Sequence, residues 1–353
     1  MFPTHDPGTD LILPNRQPGE QLDPHLIYTY AWLFTVPDDE VSIFAYVKCK
    51  PYFSMSEGGL CVFRGLDNLD PPDMAYMDYQ MTMPWPDFEG GVLSTANGLR
   101  VEIREPGKRF RLTYRSPDAK TSLEVESTGV TPLLARGHVI PGEDAHGASG
   151  ERAKGGSEQM MRNVGHLVLD GHRHEFDSVD GRDRSWGQLR SEYRDAIVSP
   201  PAIWTPVWYD DFAFNQVGYE APDTDPYWAG VFDIPADRPT FHNAWVIVDG
   251  EVRQIASVHL NATARHPYLH MVSAFEVSAV DSTGATHELT AEAVGMTALP
   301  TWNHSILRQA LYRWRDSKGR VAYNSAQEMW WDQAFQHSMN RRSPRSALLH
   351  SRV

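Results

Sequence analysis

The sequence predicts an all-β protein built from barrels or sandwiches, and three observations carry that prediction. Apolar and polar residues alternate with a period of two in stretch after stretch. Turn dipeptides separate the stretches, among them Pro106-Gly107, Asp170-Gly171 and Asp249-Gly250, the last two suited to tight hairpins because they tolerate positive φ. Helical periodicity is weak everywhere except the tail from Glu328 to Met339.

Each element follows from its local pattern. VSIFAYVKC (41–49), LRVEIRE (99–105), RFRLTYRS (109–116), TSLEVES (121–127) and GHLVLDG (165–171) read as antiparallel strands of a first half. YWAGVFDIP (227–235), NAWVIVDGEVRQIASVHL (243–260), VSAFEVSAV (272–280), ATHELTAEAV (285–294) and LRQALYRWRDSKGRVAYNSAQEM (307–329) repeat the style in a second. WYDDFAFNQVGYE (208–220) reads as one strand alternating aromatic and polar residues, which puts Tyr209, Asp211 and Asn215 on one face. YMDYQMTMPWPDFEGG (76–91) reads either as a core strand entering a rigid turn or as a pocket wall that includes Trp85.

At 353 residues the chain exceeds the size at which a single core stops growing. Two domains are therefore expected, residues 1–198 and 199–353, with the irregular SPPAIWTP (199–206) at the junction. PGEDAHGASGERAKGGSEQ (141–159) is too rich in Gly, charged and small residues to order itself. It reads as a mobile loop, either a surface insertion or a lid.

A formal charge of −14 argues against nucleic acid and other polyanions as partners. Cys49 and Cys61 are too few for a disulfide framework and lack zinc-knuckle spacing, so they read as core thiols. The N-terminus shows no basic stretch followed by an apolar run, and no segment offers the roughly 18 consecutive apolar residues of a membrane span. The expectation is a soluble, cytoplasmic protein without stable membrane insertion. Eleven Trp and fourteen Tyr suit amphipathic cavities as well as ordinary cores.

The commonest catalytic signatures are absent: there is no G-x-S-x-G elbow, Walker loop, dinucleotide fingerprint or H-E-x-x-H helix. His172 and His174 share one strand face, but two His without a third ligand fall short of a metal site, and His259, His266 and His270 read as loop histidines. The densest chemistry lies in DGRDRSWG (180–187), where Asp183 stands between Arg182 and Arg184 just before Ser185-Trp186-Gly187. Arginine neighbours lower a carboxyl pKa and burial against Trp raises it, so two readings of Asp183 stand together: an organiser of loop amides, or a proton donor.

GRDRSWG, with SEQMMRNVGHLVLDG upstream, DYQMTMPWP at 78–86 and SAQE at 325–328, resembles the carotenoid 1,2-hydratase (hydroxyneurosporene synthase) superfamily, and within it a bacterial branch reading R-D-[HR]-S-W-G. The resemblance spans residues from about 25 to about 340 and implies two tandem lipocalin-like antiparallel barrels with few helices, a hydrophobic substrate and no cofactor. Members include kievitone hydratase and lipocalin-like Diels-Alderases. Arg184 stands where much of the superfamily has His, which removes any Asp-His pair.

The function expected is a cofactor-independent lyase, a hydratase or dehydratase, acting on an isoprenoid, steroid-like or polyketide molecule. Asp183 is the expected proton donor, with Glu158, Tyr209 and Glu328 as candidates for the base or orienting partner. Trp186, Trp85, Trp208, Phe212, Asn215 and Trp228 are the expected substrate wall, where aromatic faces stabilise a carbocation. The rivals are an isomerase or cyclase using the same pocket and a non-catalytic carrier of a hydrophobic ligand.

Overall fold

A computed structural model describes residues 2–14, 20–136, 155–189, 200–219, 226–232, 241–302 and 305–341. The first half contains β1 (Leu26–Val36), β2 (Val41–Lys50), β3 (Met55–Arg64), β4 (Tyr76–Pro84), β5 (Asp87–Glu89), β6 (Val92–Ser94), β7 (Arg100–Glu105), β8 (Arg109–Arg115), β9 (Ser122–Gly129), β10 (Leu134–Ala135), β11 (Gly155–Leu169) and β12 (His172–Leu189). The second contains β13 (Ala202–Tyr209), β14 (Phe212–Gly218), β15 (Phe241–Val248), β16 (Glu251–Arg265), β17 (Val272–Asp281), β18 (Thr286–Trp302), β19 (Ser305–Asp316) and β20 (Val321–Trp331), followed by the helix α1 (Asp332–Met339).

The all-β prediction holds. The first half is a twelve-stranded antiparallel sheet whose path runs β4-β3-β2-β1-β12-β11-β9-β8-β7-β6-β5, with β10 beside β11. It curls until β4, at one end of the path, meets strands near the other through side chains: Tyr114 Oη on β8 donates to Asp78 Oδ2 on β4 at 2.7 Å, and Asn97 Nδ2, between β6 and β7, donates to the Asp78 carbonyl at 2.9 Å. The second half, β13 to β20, is a closed eight-stranded barrel. Edge-to-face contacts among Phe275, Tyr312 and Trp314, with ring centroids 5.1 to 5.8 Å apart, fill part of its interior.

The two Asp-Gly hairpins form as expected, with φ of 49° and 82° at Asp170-Gly171 and 51° and 80° at Asp249-Gly250. Period-two reading misses β1, LIYTYAWLFTV, because all eleven residues are buried. One face, including Tyr30, Trp32 and Phe34, enters the core of the first sheet. The other, including Ala31 and Leu33, joins Phe44, Tyr46, Cys61 and Phe63 against Trp204, Val217, Leu299, Leu307 and Met329 of the second barrel. Both cysteines are buried free thiols.

Four local expectations are corrected. Residues 208–220 are not one strand: Asp210-Asp211 forms a hairpin turn between β13 and β14, and Asp211 pairs at the surface with Arg320. At 227–235 the described residues are turns, with the Val231 N–H on the Trp228 carbonyl at 3.0 Å. The tail continues as β20 to Trp331 and turns helical only over Asp332–Met339. Within 141–159, residues 155–159 open β11, and 141–154 lie outside the described residues. The glycines there make room for side chains rather than mobility: a Cβ on Gly155 would sit 2.6 Å from the Trp186 ring, and one on Gly156 would sit 2.9 Å from the Arg136 guanidinium.

Candidate functional site

The 180–187 stretch lies in β12 where the first sheet meets the second barrel, and strand alternation sorts its residues. Arg182 and Arg184 point into the first sheet. The Arg182 guanidinium lies 4.2 Å from the Phe110 ring centroid and pairs with buried Asp10, and Arg184 lies 3.9 Å over Tyr30. Gly181 lies under the second barrel, where a Cβ would come within 2.8 Å of Pro206 and 2.9 Å of Trp204. Gly187, at φ 63°, sits where the β1–β12 register shifts by a bulge. Asp180 is the organiser: it accepts from Thr35 Oγ1 at 2.6 Å, the Gly181 N–H at 2.8 Å and the Ser325 N–H at 3.2 Å, tying β1, β12 and β20 together. Burial outweighs these donors and raises its carboxyl to about 6.

Asp183 leaves the sheet on the barrel-facing side, directly opposite Glu158 of β11. Its Oδ2 lies 3.0 Å from Arg136 Nε, and its side chain keeps 20% exposure. Glu158 is 2% exposed. Its Oε2 accepts from Asn215 Nδ2 of β14 at 2.5 Å and from Asn243 Nδ2 of β15 at 3.4 Å. Desolvation pushes its carboxyl up to about 8; Arg136 and the two amides pull it down, and Asp183 adds to the rise. The pair therefore sets a buried carboxyl of raised proton affinity beside one joined to a guanidinium, an arrangement suited to giving and accepting protons.

An aromatic wall flanks the pair. Tyr46 shares a cross-strand row with Ala31 and Asp183. It stacks on Phe44 at 5.2 Å and on Tyr79 at 6.3 Å. Trp204 joins the same seam cluster. Beside Asp183, Thr29 Oγ1 lies 3.4 Å from its Oδ1 and 2.5 Å from Ser185 Oγ.

The profile of the family described as a domain of unknown function, DUF7064, matches residues 15–331. The chain belongs to that family. No curated protein matches the sequence. Among solved structures, the crystal structure of CghA is similar to this DUF7064 chain, with a TM-score of 0.50 at 10% identity over 88% of this chain and 90% of that one. A likeness at that identity speaks for the fold alone.

Of the expected site residues, the seam of this DUF7064 protein gathers Glu158, Asp183 and Asn215. Trp186 is not a wall for Asp183: three residues on, it faces the first sheet's core and meets His5 edge-on at 5.0 Å. Trp85 packs with Phe88 where the sheet curls closed, at 6.3 Å. Trp208 packs on the Phe2, Leu134, Met160 and Trp245 cluster, where Leu134 is the cross-strand partner of Glu158.

The remaining candidates belong to the second barrel. Tyr209 and Phe212 line its interior, beside Arg320 at 4.9 Å and His287 at 5.5 Å. Burial raises the Tyr209 hydroxyl. Trp228 packs at a tilt against Trp330, ring centroids 5.3 Å apart. Glu328 is buried, accepting from the Val272 N–H at 3.0 Å and Trp330 Nε1 at 2.7 Å; burial raises its carboxyl against the pull of Arg265. The described residues contain no group of three or more His, Cys, Asp and Glu placed to hold a metal.

The sequence reading missed Arg136, Asn243, Trp204 and Tyr46. Arg136 lies 47 positions before Asp183, and the strand it follows, β10, is two residues long. Only the register of β10 on β11 brings it to the site.

Proposed function

We propose that this DUF7064 chain is a cofactor-independent enzyme that protonates an apolar small molecule at the seam between its halves, hydrating an alkene or dehydrating the corresponding alcohol. The observation that carries this reading is the opposition of Glu158, its carboxyl buried and pushed up by that burial, to Asp183 with its Arg136. In the hydration direction Glu158 gives its proton to one alkene carbon, and the π pair forms the new C–H bond. The cation at the other carbon is stabilised by the faces of Tyr46, Tyr79 and Trp204.

Water enters on the side of Asp183, the more exposed of the pair, and bonds to the cation through oxygen while its proton passes to Asp183. Directly opposed residues of an antiparallel pair have Cβ atoms about 5 Å apart, so one water relays that proton back to Glu158 and resets the site. General acid catalysis of this kind contributes about 10²- to 10⁴-fold. The hydratase resemblance of GRDRSWG supports the same assignment, with the acid moved from Asp183 to its partner.

The test is incubation of the protein with prenylated and polyene metabolites in ¹⁸O-labelled water, read by mass spectrometry. Labelled alcohol from wild type and none from Glu158→Gln is the expected result. Products isomeric with substrate and free of label mean that the same site isomerises or cyclises. Unchanged ligand bound equally by both proteins means a carrier.

A further inference from the structure

The acid lies on the first sheet, but the groups that orient it belong to the second barrel. Trp204 Nε1 lies 2.8 Å from Asn215 Oδ1, and Asn215 Nδ2 lies 2.5 Å from Glu158 Oε2. An indole N–H donates and never accepts, so Asn215 must present its carbonyl to Trp204. That leaves only its NH₂ to face Glu158. Asn243 Nδ2 aims at the same oxygen. An oxygen receiving N–H donors is the carbonyl oxygen of a neutral carboxyl, and the hydroxyl is the other one.

We infer that Trp204, acting through Asn215, is a positioning residue that fixes the proton of Glu158 on Oε1, so that the acid is assembled only when the second barrel is docked on the first sheet. The inference rests on the reading of Glu158 as the proton donor. It explains a tryptophan among the seam side chains whose ring packs with apolar neighbours while its one polar atom is spent on an amide. It also explains why Gly181 has no side chain: Trp204 takes the space a Cβ would need.

The charged groups facing Glu158 are Arg136, just past β10, and Asp183 on β12; the groups from β14 and β15 are the two neutral amides. Removing an amide donor therefore changes how the carboxyl titrates without changing the charges around it. The measurement is infrared difference spectroscopy of the full-length protein, in which the neutral Glu158 carboxyl is the carbonyl band missing from Glu158→Gln. It is followed from about pH 5 to about pH 10. In Asn215→Leu the band moves to higher frequency, because its carbonyl has lost a donor, and its midpoint rises by about one pH unit, the worth of one hydrogen bond to a charged group.

Trp204→Phe keeps an aromatic ring in the seam and frees Asn215 to turn over, so it moves both readings the same way by less. A purely structural role for Trp204 and Asn215 predicts an unmoved band in whichever variant folds, and that result overturns the inference while leaving Glu158 as the acid. A wild-type protein with no Glu158 band at neutral pH overturns the inference together with the reading on which it rests.

Discussion

Glu158 and Asp183 face each other across the β11–β12 pair, one carboxyl sealed under two asparagine amides of the second barrel and the other held by Arg136 at 3.0 Å. Burial raises the proton affinity of Glu158, and the first prediction concerns how its charged neighbours act on it. Asp183→Asn removes a negative neighbour and lets the full charge of Arg136 act, so the Glu158 midpoint falls below about 8. Arg136→Gln removes the cation and raises it. Infrared titration of the Glu158 band reads both, and movement of the two variants in the same direction would refute the assignment of neighbours.

Stability should depend on pH through the same residue. Glu158 binds its proton more tightly folded, at about 8, than at its ordinary 4.5. Its contribution is therefore complete below about 4.5 and is lost as pH rises through about 8. Asp180 acts likewise between 3.8 and about 6. Urea unfolding at about pH 6 and about pH 9 should show wild type losing stability on the order of 3 kcal/mol, and Glu158→Gln losing far less. Equal losses would place the titration elsewhere.

Gly181→Ala tests the closeness of the two halves. The added Cβ meets Pro206 at 2.8 Å and Trp204 at 2.9 Å, both on β13, so the strands must part. Overpacking of this kind costs about 1–3 kcal/mol. A thermal transition unchanged from wild type would show that the seam yields freely.

Asp10→Ala tests what holds the arginines of the motif. Asp10 pairs with Arg182 inside the first sheet, both side chains almost fully buried, and also accepts the Gly107 N–H at 2.7 Å. Breaking one side of a buried ion pair costs about 3–5 kcal/mol. A loss under about 1 kcal/mol, as for exposed pairs, would contradict the burial of Arg182.

The fold was legible where one strand face meets water. Alternation in RFRLTYRS and TSLEVES and the two Asp-Gly turns led directly to β8, β9 and their hairpin neighbours. It was illegible in β1, whose two faces enter two different cores. At the site, the 180–187 stretch pointed to the right place, but its neighbours in sequence were the wrong partners. Period two puts Arg182, Arg184 and Trp186 on the face away from Asp183, while Arg136, Glu158 and Asn215 arrive through pairings between distant strands. The burial that raises the Glu158 carboxyl comes where the strands carrying Asn215 and Asn243 cover it, and no local pattern reports it.

Whether Glu158 is the proton donor is read from turnover of an accepted alkene substrate in D₂O by wild type, Glu158→Gln and Asp183→Asn. One deuterium at the protonated carbon is expected with wild type, and a fall of about 10²-fold or more in Glu158→Gln. Turnover by Glu158→Gln at the wild-type rate, with deuterium still incorporated, would contradict that role.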